Sequence, residues 1–304
     1  MAVSIAGTGP GPAGTSGDGP FKLRRALGSR WAKQAGRGVE VLVLTAAALV
    51  MVSPVLWALS TALRTPAESF SEPPQWVPLH PIFSNFSAVF NNAPFVQFVV
   101  NSIIVTGAIV VGQLVTSSMG GYAFARLRFR GREPLFWIVL ATMMVPIQST
   151  IIPVFILIKY MHLSDSLTAL VLPAVASAFG TFLLRQAFMQ MPKEFGEAAL
   201  VDGASQWKVF TRIYLRMAWP AMATLAVLDF AGYWNEFFRP LIFLNSQSHY
   251  TLPLGLVILQ GYMGTGSISV VLAAVVMALV PNLLVFVLAQ KYFVRGIAFG
   301  GIKG

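Results

Sequence analysis

The sequence contains no cysteine, which excludes structural disulfides and thiolate metal sites. It has only three histidines, His80, His162 and His249, too far apart in sequence to suggest a histidine-based metal centre. Charge is also scarce. Of 304 residues, 11% are charged, against about a quarter in an ordinary soluble domain. There is no Gly-Lys dipeptide from which a nucleotide P-loop could be built, no His-Glu-x-x-His and no nucleophile elbow. These absences leave no basis for a membrane-embedded enzyme or for ATP hydrolysis by this chain, and no cofactor or metal is expected on it.

Apolar residues take the place of charge. Hydrophobic residues make up 56% of the chain and the mean hydropathy is +0.71, a composition suited to lipid. The net charge of +10, from 21 Lys and Arg against 11 Asp and Glu, reads in such a chain as a topology signal and not as a nucleic-acid footprint.

A transmembrane helix needs about 20 mainly apolar residues. Five uncharged stretches qualify, 41–63, 98–119, 134–158, 166–184 and 267–290. A sixth, 218–244, is long enough but carries Asp229, Glu236 and Arg239. The apolar run 252–259 is too short to cross and reads as a re-entrant or interfacial piece. Helical lengths without strand alternation predict an all-α polytopic bundle of six spans over 39–304, not a barrel. Six spans place both termini on one side. With that side cytoplasmic, every Lys and Arg except Arg64, Lys159 and Arg239 falls in a cytoplasmic segment, as the positive-inside rule expects.

Residues 1–38 read as a cytoplasmic tail, Gly/Pro/Ser/Thr-rich over the first twenty and basic thereafter. The apolar stretch that follows is too long for a signal-peptide core and reads as an uncleaved first span. The outer segment 64–94, rich in Pro and aromatics such as Pro73, Pro74, Trp76 and Phe83, is expected to form a small ordered cap at the membrane surface.

The longest cytoplasmic connection, 185–217, is more helical than a passive linker requires. Pro192 suits a first helical position, and Glu194 and Glu197 lie where the macrodipole favours anions. Ala198, Ala199 and Leu200 are good helix formers. Gly203, after Asp202, permits a left-handed turn. Ser205 can cap a second helix whose Trp207, Phe210 and Ile213 or Tyr214 recur on one face. Without further information such a loop is as easily a connector as a docking element.

Glu197-Ala198-Ala199, then Gly203, Ile213 and Leu215, resembles the EAA loop of inner-membrane permeases in binding-protein-dependent ABC importers. The family pattern continues into a proline after that leucine, whereas here Arg216 follows and the proline is delayed to Pro220. Asn101-Ser102-Ile103, Gly121-Tyr122-Ala123-Phe124-Ala125-Arg126, Trp234-Asn235-Glu236-Phe237-Phe238 and the ending Gly300-Gly301-Ile302-Lys303-Gly304 are similar to maltose- and glycerol-phosphate-type carbohydrate permeases, on the MalG-like side of the permease pair. The resemblance implies a type I importer fold in the bacterial inner membrane. It implies a second permease subunit, two cytoplasmic ATPase subunits that use ATP and Mg²⁺, and an extracytoplasmic solute-binding protein. Glu197, Ala198, Ala199, Asp202, Gly203 and Ile213 would then couple to the ATPase.

Intramembrane acids are functional candidates by default. Asp229 and Glu236, seven residues apart, share a face if one helix carries both, with Arg239 positioned to pair with Glu236. Tyr233, Trp234 and Asn235 surround them, and all five residues from Asp229 to Glu236 named here are candidates for the translocation path. Flat aromatic faces can stack on sugar rings, and they serve equally as packing. The rival reading is an ion-driven secondary transporter of small solutes, also a helical bundle with sparse charge.

Overall fold

The computed structural model describes the backbone of residues 21–70, 76–261 and 266–301, and the side chains of these except 21–36, 70 and 291–301. The tail 1–20, Pro73 and Pro74 of the expected cap, and Ile302-Lys303-Gly304 lie outside the described residues. Among the described residues all regular structure is helical.

The chain divides into two units, residues 1–56 and 57–304. The first contains most of α1 (Phe21–Ala62), whose side chains from Val39 to Val52 are exposed, as suits a lipid-facing helix. The second opens with α2 (Ser84–Asn92) and α3 (Phe95–Arg126), continues through α4 (Arg132–Thr142), α5 (Ile147–Tyr160), α6 (Leu167–Val171) and α7 (Ala178–Gln190), and reaches α8 (Glu194–Val201) and α9 (Gln206–Val209). A π-helical segment Phe210–Tyr214, α10 (Leu215–Met217), α11 (Trp219–Trp234), α12 (Phe238–Phe243), α13 (Leu252–Leu259) and α14 (Ile268–Gly301) complete it.

Three helices are long and apolar enough to cross a membrane, Arg37–Ala62, Phe95–Arg126 and Ile268–Gln290. Two further expected spans are bent pairs. The stretch 134–158 is not one helix: α4 and α5 meet at 98° across Met143–Pro146. Pro146 disfavours the α conformation at Val145 and is itself extended, with ψ 140°, and the helix stops and restarts there. The stretch 166–184 also breaks. Leu167–Ala174 meets α7 at 42°, where Ser177 Oγ accepts from the Gly180 N–H at 2.9 Å and starts a new helix. That helix runs on to Gln190, so the connecting loop begins near Met191 and not at Arg185. The expected span 218–244 is interrupted after Trp234, because Asn235 Nδ2 caps the Ala231 carbonyl at 2.8 Å and Pro240 has no N–H to offer the preceding turn. Glu236 therefore leaves the helix that carries Asp229, and the shared face expected from their spacing does not form.

Helices α3 and α7 run side by side at the distance that small residues allow. A Cβ at Gly121 would sit 2.8 Å from the Arg185 backbone nitrogen, and one at Gly180 would sit 2.4 Å from Ser117 Oγ. In lipid, helices gain nothing from leaving water, so such close approach supplies van der Waals packing in its place. Polar bonds add direction. Gln113 Nε2 donates to the Ala174 carbonyl at 2.6 Å and to the Tyr233 hydroxyl at 2.7 Å, and Thr116 donates to the Val175 carbonyl at 2.6 Å.

At the other end of α3, Asn101 Nδ2 donates to the carbonyls of Ser248 and Tyr250, both at 2.9 Å. Ser102 Oγ accepts from the Leu252 N–H at 2.7 Å and so satisfies the start of the buried α13. The loop before α13 is also gripped by Asp165, whose carboxylate accepts from the N–H groups of Asn245 (2.8 Å) and Ser246 (3.0 Å) and from the Ser246 hydroxyl, with His249 Nδ1 at 3.4 Å.

The Ser246 hydroxyl and these N–H groups hold the Asp165 carboxyl well below the usual carboxylate range. A depressed carboxylate contributes stability that is complete above its unfolded value of about 3.9 and is lost as pH falls further. Asp165→Asn should therefore lower the thermal midpoint in detergent at neutral pH, and the gap to the unsubstituted protein should narrow below about pH 4. Gly121→Val, whose side chain must enter the Arg185 backbone, should sharply reduce the amount of folded, monodisperse protein recovered by size exclusion, whereas Gly107→Ala, open to 4 Å, should not.

Candidate functional site

The connection after α7 folds as two short helices around a glycine, as the sequence suggests. Lys193 is the N-cap of α8, so Pro192 lies just before the cap, not at the first helical position. Glu194 and Glu197 occupy the first turn, where the free N–H groups favour carboxylates. Gly203 adopts φ +80°, the left-handed conformation that ends α8, and its N–H bonds to the Leu200 carbonyl at 3.1 Å. Ser205 Oγ then accepts from the Lys208 N–H at 3.3 Å and starts α9.

One side of this pair faces the rest of the chain. Tyr122 of α3, Phe188 of α7, and Phe210 and Tyr214 of the π segment form a buried aromatic cluster. The Tyr122 ring lies 5.8, 4.8 and 5.5 Å from the other three in that order. Arg126 connects these elements. Its Nη2 donates to the Phe188 and Met191 carbonyls at the end of α7, and its guanidinium lies 4.7 Å from the Tyr214 ring centre. Tyr214 in turn covers Gly196, where a Cβ would fall 2.6 Å from the tyrosine oxygen. The short helix α8 is thereby seated on the ends of α3 and α7. Arg185 braces the same end: it pairs with Glu133 at 3.2 Å and lies 3.9 Å from the Phe136 ring centre.

The opposite side is open. Glu197, Ala198, Asp202 and Gly203 are exposed, while Ala199 and Ile213 are half-buried, Ala199 against the aromatic cluster. Phe195, Leu200, Val201 and Trp207 stand exposed beside them, an apolar group on a segment that is not a membrane span.

The second candidate group is more dispersed. Asp229 is only 8% exposed, and its Oδ2 has no hydrogen-bond partner among the described residues. Tyr233 bonds to Gln113, as above. Trp234 is 2% exposed, stacks on Phe230 at 5.5 Å and donates its indole N–H to the Ala278 carbonyl at 3.1 Å. In this conformation its ring is packing between α11 and α14. Asn235 is exposed apart from its bond to Ala231. Glu236 forms the expected ion pair with Arg239, which is 4% exposed and also donates to the Leu170 carbonyl at 3.1 Å. Among the described residues no three His, Asp or Glu side chains gather into a metal-binding group.

Sequence reasoning did not single out Arg126, Tyr122 or Gly196 as a unit. Tyr122 and Arg126 belong to a motif that carries the family resemblance, and Gly196 is a glycine inside a helix, but their connection emerges only when three helix ends converge. Gly196→Val should therefore push Tyr214 out of the cluster, an effect of about 1–3 kcal/mol by analogy with overpacked cores. The measurement is the thermal midpoint in detergent, together with proteolysis at Lys193, which should accelerate as α8 loosens.

Comparison with known proteins bears on the same region. Residues 113–298, more than half of the chain, match the family described as the binding-protein-dependent transport system inner membrane component. The arabinooligosaccharides transport system permease AraQ of Halalkalibacterium halodurans is 36% identical over 221 residues, 72% of this chain and 79% of that protein. The sn-glycerol-3-phosphate transport system permease UgpE of Yersinia pestis bv. Antiqua is 32% identical over 271 residues, 86% of this chain and 96% of that protein. A chain of a bacterial ABC transporter that imports the acidic polysaccharide alginate superposes with a TM-score of 0.77 at 25% identity, covering 86% and 98% of the two chains. These relatives are transport permeases, not enzymes. The chain belongs to the family of inner-membrane components of binding-protein-dependent transport systems.

Proposed function

We propose that this chain is one permease subunit of an ATP-driven importer of a sugar or sugar-like solute, and that 194–203 is the element through which a separate ATPase drives it. The observation that carries this reading is the two-sided construction of α8 and α9. One side is seated through Gly196, Tyr214 and Arg126 on the ends of α3 and α7. The other presents Glu197, Ala198 and the apolar group of Phe195, Leu200, Val201 and Trp207 to a partner. A partner that grips this surface would move a helix pair already fastened to the membrane helices, a rigid-body transfer.

In this reading 185–217 and both termini face the cytoplasm and six spans cross the inner membrane, α4–α5, α6–α7 and α11–α12 each as a bent or broken span. A second permease completes the path, two ATPases hydrolyse ATP with Mg²⁺ as cofactor, and an extracytoplasmic protein delivers the solute. The sugar class rests on the relatives' named substrates, arabinooligosaccharides, glycerol phosphate and alginate. Asp229, Tyr233, Asn235 and Glu236 are the chain's candidates for the path, with Trp234 joining them only if α11 rotates.

Gly203 tests the coupling. A Cβ there meets nothing within 4 Å, so the cost of Gly203→Val is purely conformational, about 1–3 kcal/mol for a β-branched residue held at positive φ. The variant should reach the membrane in normal amount while binding-protein-dependent uptake falls at least tenfold and ATP hydrolysis no longer follows solute. Uptake at the unsubstituted rate would remove the coupling role, and uptake that persists without ATP but fails when the proton gradient is collapsed would establish ion-driven transport instead.

A further inference from the structure

Beside the α8–α9 pair lies a cavity of about 710 Å³ that shares Glu197 and Leu200 with the docking surface and includes no residue of the candidate path. Arg126, Arg128 and Arg132, from the end of α3, the connection and the start of α4, line it together with Lys193 and Glu197 from the start of α8. Four cations thus face one carboxylate. Arg132 is paired with Glu133 at 2.8 Å, a carboxylate it shares with Arg185. The other three are not. Arg126 Nη2 binds only neutral carbonyls and its Nε is buried without a partner, while Arg128 and Lys193 have no side-chain partner among the described residues.

The position of the cavity is as informative as its charge. Its arginine wall joins the end of α3, a membrane-length apolar helix, to the start of the α4–α5 bent pair. With α3 and the α4–α5 pair read as successive spans, that junction lies on the side where they leave the hydrocarbon, within reach of phosphate headgroups. Phe129, 41% exposed between the arginines, suits the same boundary. A guanidinium matches phosphate oxygens through paired N–H groups, and basic residues next to a span draw anionic lipid.

We infer that this cavity is a binding site for a phosphate-bearing anion, supplied by the headgroup of an anionic lipid in the leaflet that faces the ATPase, and that its occupancy sets how firmly α8 is held. The inference rests on the proposed cytoplasmic placement of 185–217. The anion would bridge Arg128 and Lys193, drawing the N-terminus of α8 toward the α3–α4 connection. Glu197 also lines the cavity and is repelled by the bound phosphate, which favours its turning toward the docking surface. Binding and the exposure of the docking surface are thereby coupled.

The test uses the assembled transporter, with its partner permease and ATPases, in nanodiscs of phosphatidylcholine alone or of phosphatidylcholine with phosphatidylglycerol. Native mass spectrometry counts retained phosphatidylglycerol, and binding-protein-stimulated ATP hydrolysis reports the consequence. The unsubstituted transporter should retain phosphatidylglycerol and hydrolyse ATP several-fold faster in its presence. Arg128→Gln and Lys193→Gln should each weaken retention about fivefold, the factor that corresponds to ~1 kcal/mol per cation at a membrane surface. Arg128→Lys should restore much of the effect, which separates charge from a folding defect. Inorganic phosphate added to phosphatidylcholine discs provides the second arm: activation that Arg128→Gln abolishes would support the site with a soluble anion as its ligand. Equal retention and equal activity in both discs, with no response to phosphate, would overturn the inference. So would unchanged lipid retention by Arg128→Gln accompanied by loss of the ATPase on purification, which would assign the cavity to an acidic segment of that subunit. Failure of the unsubstituted chain to purify with any ATPase would instead count against the coupling reading, and the lipid count would still report on the site.

Discussion

The close approach of α3 and α7 is the constraint on which the rest of the second unit depends. Gly121 and Gly180 remove the side chains that would otherwise hold the two helices apart, and Ser117 and the Leu184–Arg185 backbone occupy the space. Lipid solvates a leucine face as well as another helix does, so the energy must come from packing and from polar bonds that cannot be made to lipid. Gln113 supplies such bonds twice, to the Ala174 carbonyl before α7 and to the Tyr233 hydroxyl on α11, and so brings a third helix to the seam.

Helix α3 then works as a strut with a loop fastened at each end. Asn101 and Ser102 hold the approach to α13, and Arg126 holds the end of α7 and, through Tyr214, the seat of α8. A load applied to α8 meets buried rings and a guanidinium instead of a slack linker. The π segment between α9 and α11 belongs to this arrangement, since its wider turn places both Phe210 and Tyr214 in the cluster. Short helices are poor at holding themselves together, and both α8 and α9 are shorter than the length at which an isolated helix is stable in water. Their order comes from what they sit on.

Legibility in the sequence followed the range of the interactions. The paired helices around Gly203, the Ser205 cap and the Glu236–Arg239 ion pair were all readable, because each joins residues within a turn or two. Interruptions were less readable. Pro146 marked a break only once its neighbours were seen to stop pairing, whereas Pro54, Pro153 and Pro281 sit inside helices that continue. Asp229 and Glu236 were placed on one face by counting residues, and Asn235 ended the helix between them. Trp234 had the chemistry of a sugar platform and the position of a core side chain, a distinction that only its neighbours Phe230 and Ala278 could make.

The amino-acid sequence by itself determined the solvent, the helical class, the approximate places where helices lie and the local geometry of the α8–α9 pair, because hydropathy, helical period and capping act over a few residues. Tertiary structure alone decided which of those helices are broken, which aromatics are buried, and that Arg126, Gly196 and Tyr214 form one junction while Arg128 and Lys193 line one cavity. Those outcomes depend on distances between residues far apart in the chain. No local pattern specifies such distances, because they emerge only when glycine-lined helix faces close on one another.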